Sequence, residues 1–167
     1  LQSPQGNTLI IHDADGDGLS AAKILIEALG KKGIKSPLRF AAFERTNVFG
    51  DFLLKFIEER KVATIFTLDI NLFATNFRTQ QERLKDKTFF VFDHHETPAD
   101  IPINITYFHP VRTFGYPDPS RYCTSKLVYD IMGKFTDVSH LDWVASIGIV
   151  ADVGYQAWKE FVDKTLT

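Results

Sequence analysis

Aspartate and histidine gather at a few short segments of this chain: His12-Asp13-Ala14-Asp15-Gly16-Asp17-Gly18, Asp69, Asp93-His94-His95 and Asp152. Carboxylate and imidazole form a donor set for hard divalent ions such as Mn²⁺ and Mg²⁺. Imidazole is better tolerated by Mn²⁺, and neither ion needs a cysteine cage. Two such ions about 3.5–4 Å apart can share a carboxylate, activate a water and clamp the oxygens of a phosphoryl group during in-line attack. An acid-rich set with two histidines therefore suits phosphoester hydrolysis. Other hydrolase signatures do not occur: there is no Gly-x-Ser-x-Gly, no Gly-Lys-Ser/Thr and no His-Glu-x-x-His.

Each piece also has an ordinary reading. Asp-Gly-Asp-Gly is commonly a turn or the start of a calcium loop, Asp69 taken alone is a strand-end cap, and Asp152 taken alone is a helix-end residue. The calcium reading weakens because the chain turns apolar and helical from Leu19, where an EF-hand loop would bring further acids. The ordinary readings do not account for all these residues falling at the ends of elements.

The elements that must position them follow from hydrophobic patterning. Thr8 to Ile11 reads as a buried strand that delivers the first acidic loop. Apolar positions from Leu19 to Leu29 recur at helical spacing, with Gly30 or Gly33 to end the helix. Leu38 to Phe43 reads as a second strand and Val48 to Arg60 as a second helix, with Phe49, Phe52, Leu53, Phe56 and Ile57 on one stripe. Val62 to Leu68 is a third strand ending at Asp69, and Asn76 to Lys85 a short helical or irregular stretch. Thr88 to Phe92 is a buried strand running into Asp93, and Asn104 to Phe108 another.

His109 to Ser120 reads as a polar, Pro-rich loop. Tyr122 to Phe135, Val138 to Val153 and Tyr155 to Leu166 read as helices, with Leu141, Val144, Ala145, Gly148 and Ile149 forming a buried stripe that ends near Asp152. The fold class expected is α/β: a mostly parallel sheet flanked by helices, with a helical C-terminal part. In such a sheet the C-terminal ends of the strands lie along one edge, so the His12–Asp17 loop, Asp69 and Asp93–His95 are expected to converge there.

At 167 residues, with 44% hydrophobic and 24% charged content, the chain suits one domain, residues 1–167. A net charge of −2 argues against a strongly basic surface that coats nucleic acid, although bound metal would itself attract phosphate. A single cysteine, Cys123, excludes an internal disulfide. The apolar runs are shorter than the roughly 20 residues of a membrane span, so the expected location is the cytoplasm with no membrane partner. The chain starts Leu1-Gln2-Ser3-Pro4 without an initiator methionine or signal pattern, as a trimmed chain or a piece of a longer one would.

The motif set resembles the DHH phosphoesterase superfamily, with Asp93-His94-His95 as the triplet that names it. The resemblance covers nearly the whole chain, and the Ala151-Asp152-Val153 and His109-Pro110 segments look like those of RecJ-type nucleases. It implies two Mn²⁺ or Mg²⁺ ions held by His12, Asp15, Asp17, Asp69, His94 and Asp152. The pattern Gly18-Leu19-Ser20 favours Asp15 and Asp17 as the first-motif pair, while Asp13-Ala14-Asp15-Gly16 also fits and keeps Asp13 open in place of Asp17. Asp69 would bridge the ions, and His95 would face the substrate phosphate. Asp69, His94 and His95 are thus the catalytic set implied.

Arg112 and Arg121 are candidates for gripping a phosphate, or else ordinary loop charges. Family enzymes usually carry a C-terminal substrate-binding domain, which this sequence does not include. The expected activity is that of a RecJ-like exonuclease or a nuclease of short oligonucleotides, acting on single-stranded DNA or short RNA, with replication or repair proteins as partners. A cyclic-dinucleotide phosphodiesterase and a pyrophosphatase are rivals of the same class. A non-catalytic replisome scaffold and a domain with a purely structural ion are rivals of a different one.

Overall fold

Five short apolar runs become five strands because each can be buried on both faces only when helices cover the sheet. The computed structural model describes residues 6–165. The strands are β1 (Asn7–Asp13), β2 (Leu38–Ala42), β3 (Val62–Leu68), β4 (Thr88–Phe92) and β5 (Ile105–Phe108), all parallel, in the order β2-β1-β3-β4-β5. The connection from β1 runs outward to β2, and the chain then returns to the other side of β1 for β3. That reversal makes the C-terminal edge between β1 and β3 the switch point where α/β sheets form sites.

The helices are α1 (Gly16–Lys31), α2 (Asp51–Glu59), α3 (Phe77–Leu84), α4 (Pro110–Phe114), α5 (Thr124–Met132), α6 (Asp142–Ala151) and α7 (Lys159–Thr165). Alternation along the strands divides the core in two. Ile10, Phe66, Leu68 and Phe92 pack with α1, α5 and α6 on one face. Leu9, Ile11, Ile65, Phe89 and Val91 pack with α2 and α3 on the other. Phe89 and Phe92 are almost fully enclosed, one on each face, and truncating either to Ala would cost about 3–5 kcal/mol.

The register brings the strand ends level. His12 lies opposite Leu68, Leu68 opposite Phe92 and Phe92 opposite Phe108. The ladder continues one step past the strands, where Asp69 N–H donates to Phe92 O at 3.0 Å and Asp93 N–H to Phe108 O at 3.2 Å. Asp13, Asp69, Asp93 and His109 therefore leave the sheet along one line.

Several local expectations need correction. Phe52 is 75% exposed; the buried positions of α2 are Leu53, Leu54 and Ile57, while Phe49 is buried in the turn before the helix. The stretch 109–120 is not all loop: Pro110 at the first helical position and the left-handed Gly115 bound α4, and the His109 ring caps its start. Val138 to Val153 divides into a tight turn at Ser139–Leu141 and α6, and residues 155–158 form a turn before α7. Leu1 to Pro4 and Leu166 lie outside the described residues.

Candidate metal centre

The first acidic loop is held by its own backbone. Asp15 caps α1, its Oδ1 accepting from Gly18 N–H at 3.0 Å, as a residue with a short acceptor does at a helix start. Gly18 is required there because a Cβ would stand 2.5 Å from the Asp13 carbonyl oxygen. Asp13 Oδ1 accepts from Ala14 N–H at 2.7 Å. Asp17 faces inward, 2% exposed, and receives Thr124 N–H at 2.7 Å and Ser125 N–H at 2.9 Å. It thereby serves two of the donors that α5 leaves unpaired at its start.

Asp69 adopts φ 60°, a left-handed conformation that Asp and Asn tolerate better than most residues. Such strain is common at functional sites. Its Oδ1 accepts from Thr124 Oγ1 at 3.0 Å and lies 3.4 Å from His94 Nε2. His94 Nδ1 donates to the Pro119 carbonyl at 3.3 Å, which leaves Nε2 as the nitrogen turned toward Asp69. An imidazole anchored through one nitrogen on a carbonyl, with the other directed at carboxylates, is the usual arrangement of a metal-ligating histidine. Asp152 follows α6 with its Oδ2 buried, without a hydrogen bond and 3.8 Å from His94 Nδ1. Val153 beside it is also left-handed, at φ 57°.

These residues form three overlapping groups whose donor atoms lie within 4.8 Å of one another: Asp69-His94-His95, Asp17-His94-Asp152 and Asp13-Asp15-Asp69. Asp69 and His94 each belong to two of them. The donor set is oxygen and imidazole, and the Asp152 Oδ2 lacks a hydrogen-bonding partner. Both features fit a hard divalent cation. Of the acids raised in the sequence, Asp13, Asp15, Asp17, Asp69 and Asp152 are all brought together. His12 is buried beside them, but its Nδ1 turns onto the Asp13 carbonyl at 2.7 Å and it belongs to none of the three groups. Arg112 donates to the Pro98 carbonyl and Arg121 pairs with Asp118 rather than with the clustered acids.

The electrostatics are those of crowded acids. Burial, then the Asp69 charge, pushes the Asp17 carboxyl up to about 7 against the hydrogen bonds of Ser125. Burial likewise raises Asp13 and Asp152. Burial alone would lower His94, yet Asp69, then Asp152 and Asp17, outweigh it and lift the imidazole to about 9. Without an ion, then, a proton on His94 supplies part of the positive charge these acids need.

Another cation is Arg45, from the turn after β2. Its guanidinium lies 2.6 Å from Asp13 Oδ2 and 3.1 Å from Asp15 Oδ2. Sequence reasoning missed it, since nothing in Phe43-Glu44-Arg45-Thr46 marks the loop as near the site. Only the pairing of β2 with β1 brings it there.

A parallel sheet with aspartate and histidine clustered at its carboxyl edge defines the class. Residues 7–151 match the model of the DHH family, N-terminal domain, and the chain belongs to that family. Its superfamily consists mostly of phosphoesterases. Two structures of the exonuclease RecJ with manganese, one of them from Thermus thermophilus, share the fold at a TM-score of 0.68. They are 22% and 20% identical, with 94% of this chain covered in each. CDC45 from Entamoeba histolytica is similar at a TM-score of 0.60 and 16% identity over 97% of this chain. The chain spans 42% and 24% of the length of the two RecJ structures and 34% of CDC45, and at these identities the likeness is one of fold. No curated protein sequence matches it significantly. Among the described residues no helix is long and apolar enough to cross a membrane.

Proposed function

We propose that residues 1–167 form the catalytic domain of a metal-dependent phosphodiesterase, a RecJ-like exonuclease acting on single-stranded DNA or short RNA. The observation that carries this reading is the overlap of three Asp/His groups at the switch point of the sheet, with Asp69 and His94 each shared by two of them. Asp13, Asp15 and Asp69 would hold one Mn²⁺ or Mg²⁺, and Asp17, His94 and Asp152 the other. When bound, the ions supply an activated water and charge neutralisation at the phosphoryl oxygens.

The chain's own residues do the rest. Asp69, in its left-handed turn and held by Thr124 Oγ1, groups with Asp13 and Asp15 on one side and with His94 and His95 on the other, the position from which a carboxylate would bridge two ions. His94 presents Nε2 because its other nitrogen is committed to Pro119. His95 is 40% exposed in its side chain and has its Nδ1 turned to Asp93 at 2.7 Å, so its Nε2 is the nitrogen available to a phosphate oxygen. Asp93, through its hydrogen bond and its charge, raises His95 above 6.5 and so favours the protonated ring that an anionic phosphate prefers. Arg112 and Arg121, on the segment after β5, are proposed to meet phosphates further along a strand. Replication or repair proteins are the proposed partners, and the cytoplasm the proposed location.

A second reading, a non-catalytic scaffold, is favoured by one observation: Arg45 already supplies a cation to Asp13 and Asp15. Titrating Mn²⁺ calorimetrically into the intact chain and Asp69→Ala, alongside hydrolysis of a single-stranded oligonucleotide, a cyclic dinucleotide and pyrophosphate, separates the readings. Two ions, lost as a pair in the variant, with nucleotide release from the oligonucleotide, is the outcome expected of the nuclease. No binding, or one ion indifferent to Asp69 and no hydrolysis, transfers the assignment to the scaffold. Cleavage of only the cyclic dinucleotide or pyrophosphate keeps the phosphoesterase and replaces its substrate.

A further inference from the structure

Asp93 is completely buried, and among the described residues its carboxylate takes two side-chain donors, one on each oxygen. His95 Nδ1 lies 2.7 Å from Oδ1, and the Tyr107 hydroxyl donates to Oδ2 at 2.8 Å. With the Tyr107 hydroxyl donating to one oxygen and the His95 imidazole set against the other, the carboxylate accepts at both, so the His95 nitrogen facing it carries the proton. A neutral imidazole free in water favours the opposite tautomer, with the proton on Nε2. Here the buried partner reverses that preference.

Tyr107 belongs to β5, beside Val91 in the register, and its ring stacks on Phe73 at 6.2 Å. Two residues on, His109 keeps an extended backbone at φ −141° and ψ 141°, so its side chain falls on the same side of the strand as Tyr107. The His109 Nε2 donates to the His95 carbonyl at 3.0 Å, and its Nδ1 accepts from Val111 N–H at 3.3 Å. Burial lowers the His109 imidazole below its ordinary value, in keeping with a neutral ring whose two nitrogens play opposite parts.

We propose that the end of β5 positions His95 from two sides: Tyr107 through the Asp93 carboxylate that orients the imidazole, and His109 through the His95 backbone carbonyl. Tyr107 and His109 are positioning residues. Neither belongs to the three metal-binding groups. The functional meaning of the clamp rests on the reading of His95 as the phosphate-facing residue. The clamp itself is a property of the metal-free fold.

The test is nuclear magnetic resonance of ¹⁵N-histidine-labelled protein, without metal and at alkaline pH, on wild type, Tyr107→Phe and His109→Gln. Tyr107→Phe keeps the ring and its stacking and removes only the hydroxyl. The wild type is expected to show His95 protonated on Nδ1 with slow exchange. In Tyr107→Phe the proton should stay on Nδ1 but exchange about tenfold faster, because the carboxylate has lost the hydroxyl that holds its second oxygen in place. His109→Gln, whose amide can replace the Nε2 donor, should retain the wild-type signal, whereas His109→Ala should not.

In an active protein, Tyr107→Phe should lower kcat with KM little changed. A His95 Nδ1–H as protected in Tyr107→Phe as in wild type overturns the proposal, as does a wild-type ring protonated on Nε2 alone. If the wild type hydrolyses no phosphodiester, the nuclease reading falls while the resonance data still decide the clamp.

Discussion

His94 Nε2 stands 3.4 Å from Asp69 Oδ1, joining residues that follow adjacent strands and lie 25 positions apart in the chain. The contact makes the metal-free fold sensitive to pH. His94 is raised from 6.5 to about 9, so its stabilisation is fully present below 6.5 and is lost as pH rises through about 9. Asp17, raised from 3.8 to about 7, has the same sign over a lower window. In the presence of a chelator, stability should therefore fall between pH 6.5 and 9, by at most about 3 kcal/mol from His94. Urea midpoints at the two ends measure the fall, and His94→Gln should flatten it.

Metal should act in the opposite direction. Binding to Asp17, His94 and Asp152 requires His94 without its proton on the ligating nitrogen, so Mn²⁺ affinity should rise with pH and binding should release protons. At a free ion concentration of about 100 times Kd, stability should increase by about 2.7 kcal/mol. Melting curves across Mn²⁺ concentrations read the increase, and calorimetry in two buffers of different ionisation heat reads the proton release. Asp69→Ala should remove most of both.

Arg45 should compete with metal. Its guanidinium contacts Asp13 and Asp15 but is 64% exposed, so solvent screens the pairs. Arg45→Ala is expected to change metal-free stability by less than about 1 kcal/mol while tightening Mn²⁺ binding several-fold, as calorimetry would show. Unchanged or weakened Mn²⁺ binding would instead mean that the guanidinium does not oppose the ion.

Gly148→Ala should be one of the more damaging small changes. In an open helix, Ala would be favoured over Gly by about 1 kcal/mol. Here the added Cβ would lie 2.0 Å from Ser125 Oγ and 2.8 Å from Asp17 Oδ1, where α1, α5 and α6 meet. Ser125 and Asp17 are both buried and cannot step aside, so the cost should exceed about 2 kcal/mol in a urea titration. Gly30→Ala, with nothing near its Cβ position, is the control expected to hold or gain stability.

Local patterning alone carried the alternation of strands and helices, and with it the parallel sheet. Once the strands are parallel, the acids after β1, β3 and β4 must share an edge, so the convergence of Asp13, Asp69 and Asp93 was legible before any coordinates. Strand order was not. That β2 lies beside β1 decides that Arg45 meets Asp13 and Asp15. The packing of α5 against α1 decides that Asp17 serves the backbone of Thr124 and Ser125, 107 and 108 residues away. The edge position of β5 beside β4 brings Tyr107 to Asp93. The exposure of Phe52 shows the same limit on a smaller scale: periodicity marks a stripe, but the faces of the sheet choose which residues fill it. Periodicity is a property of neighbours along the chain, whereas partners of buried charge are selected by elements far apart in sequence, so these contacts appear only in the folded structure.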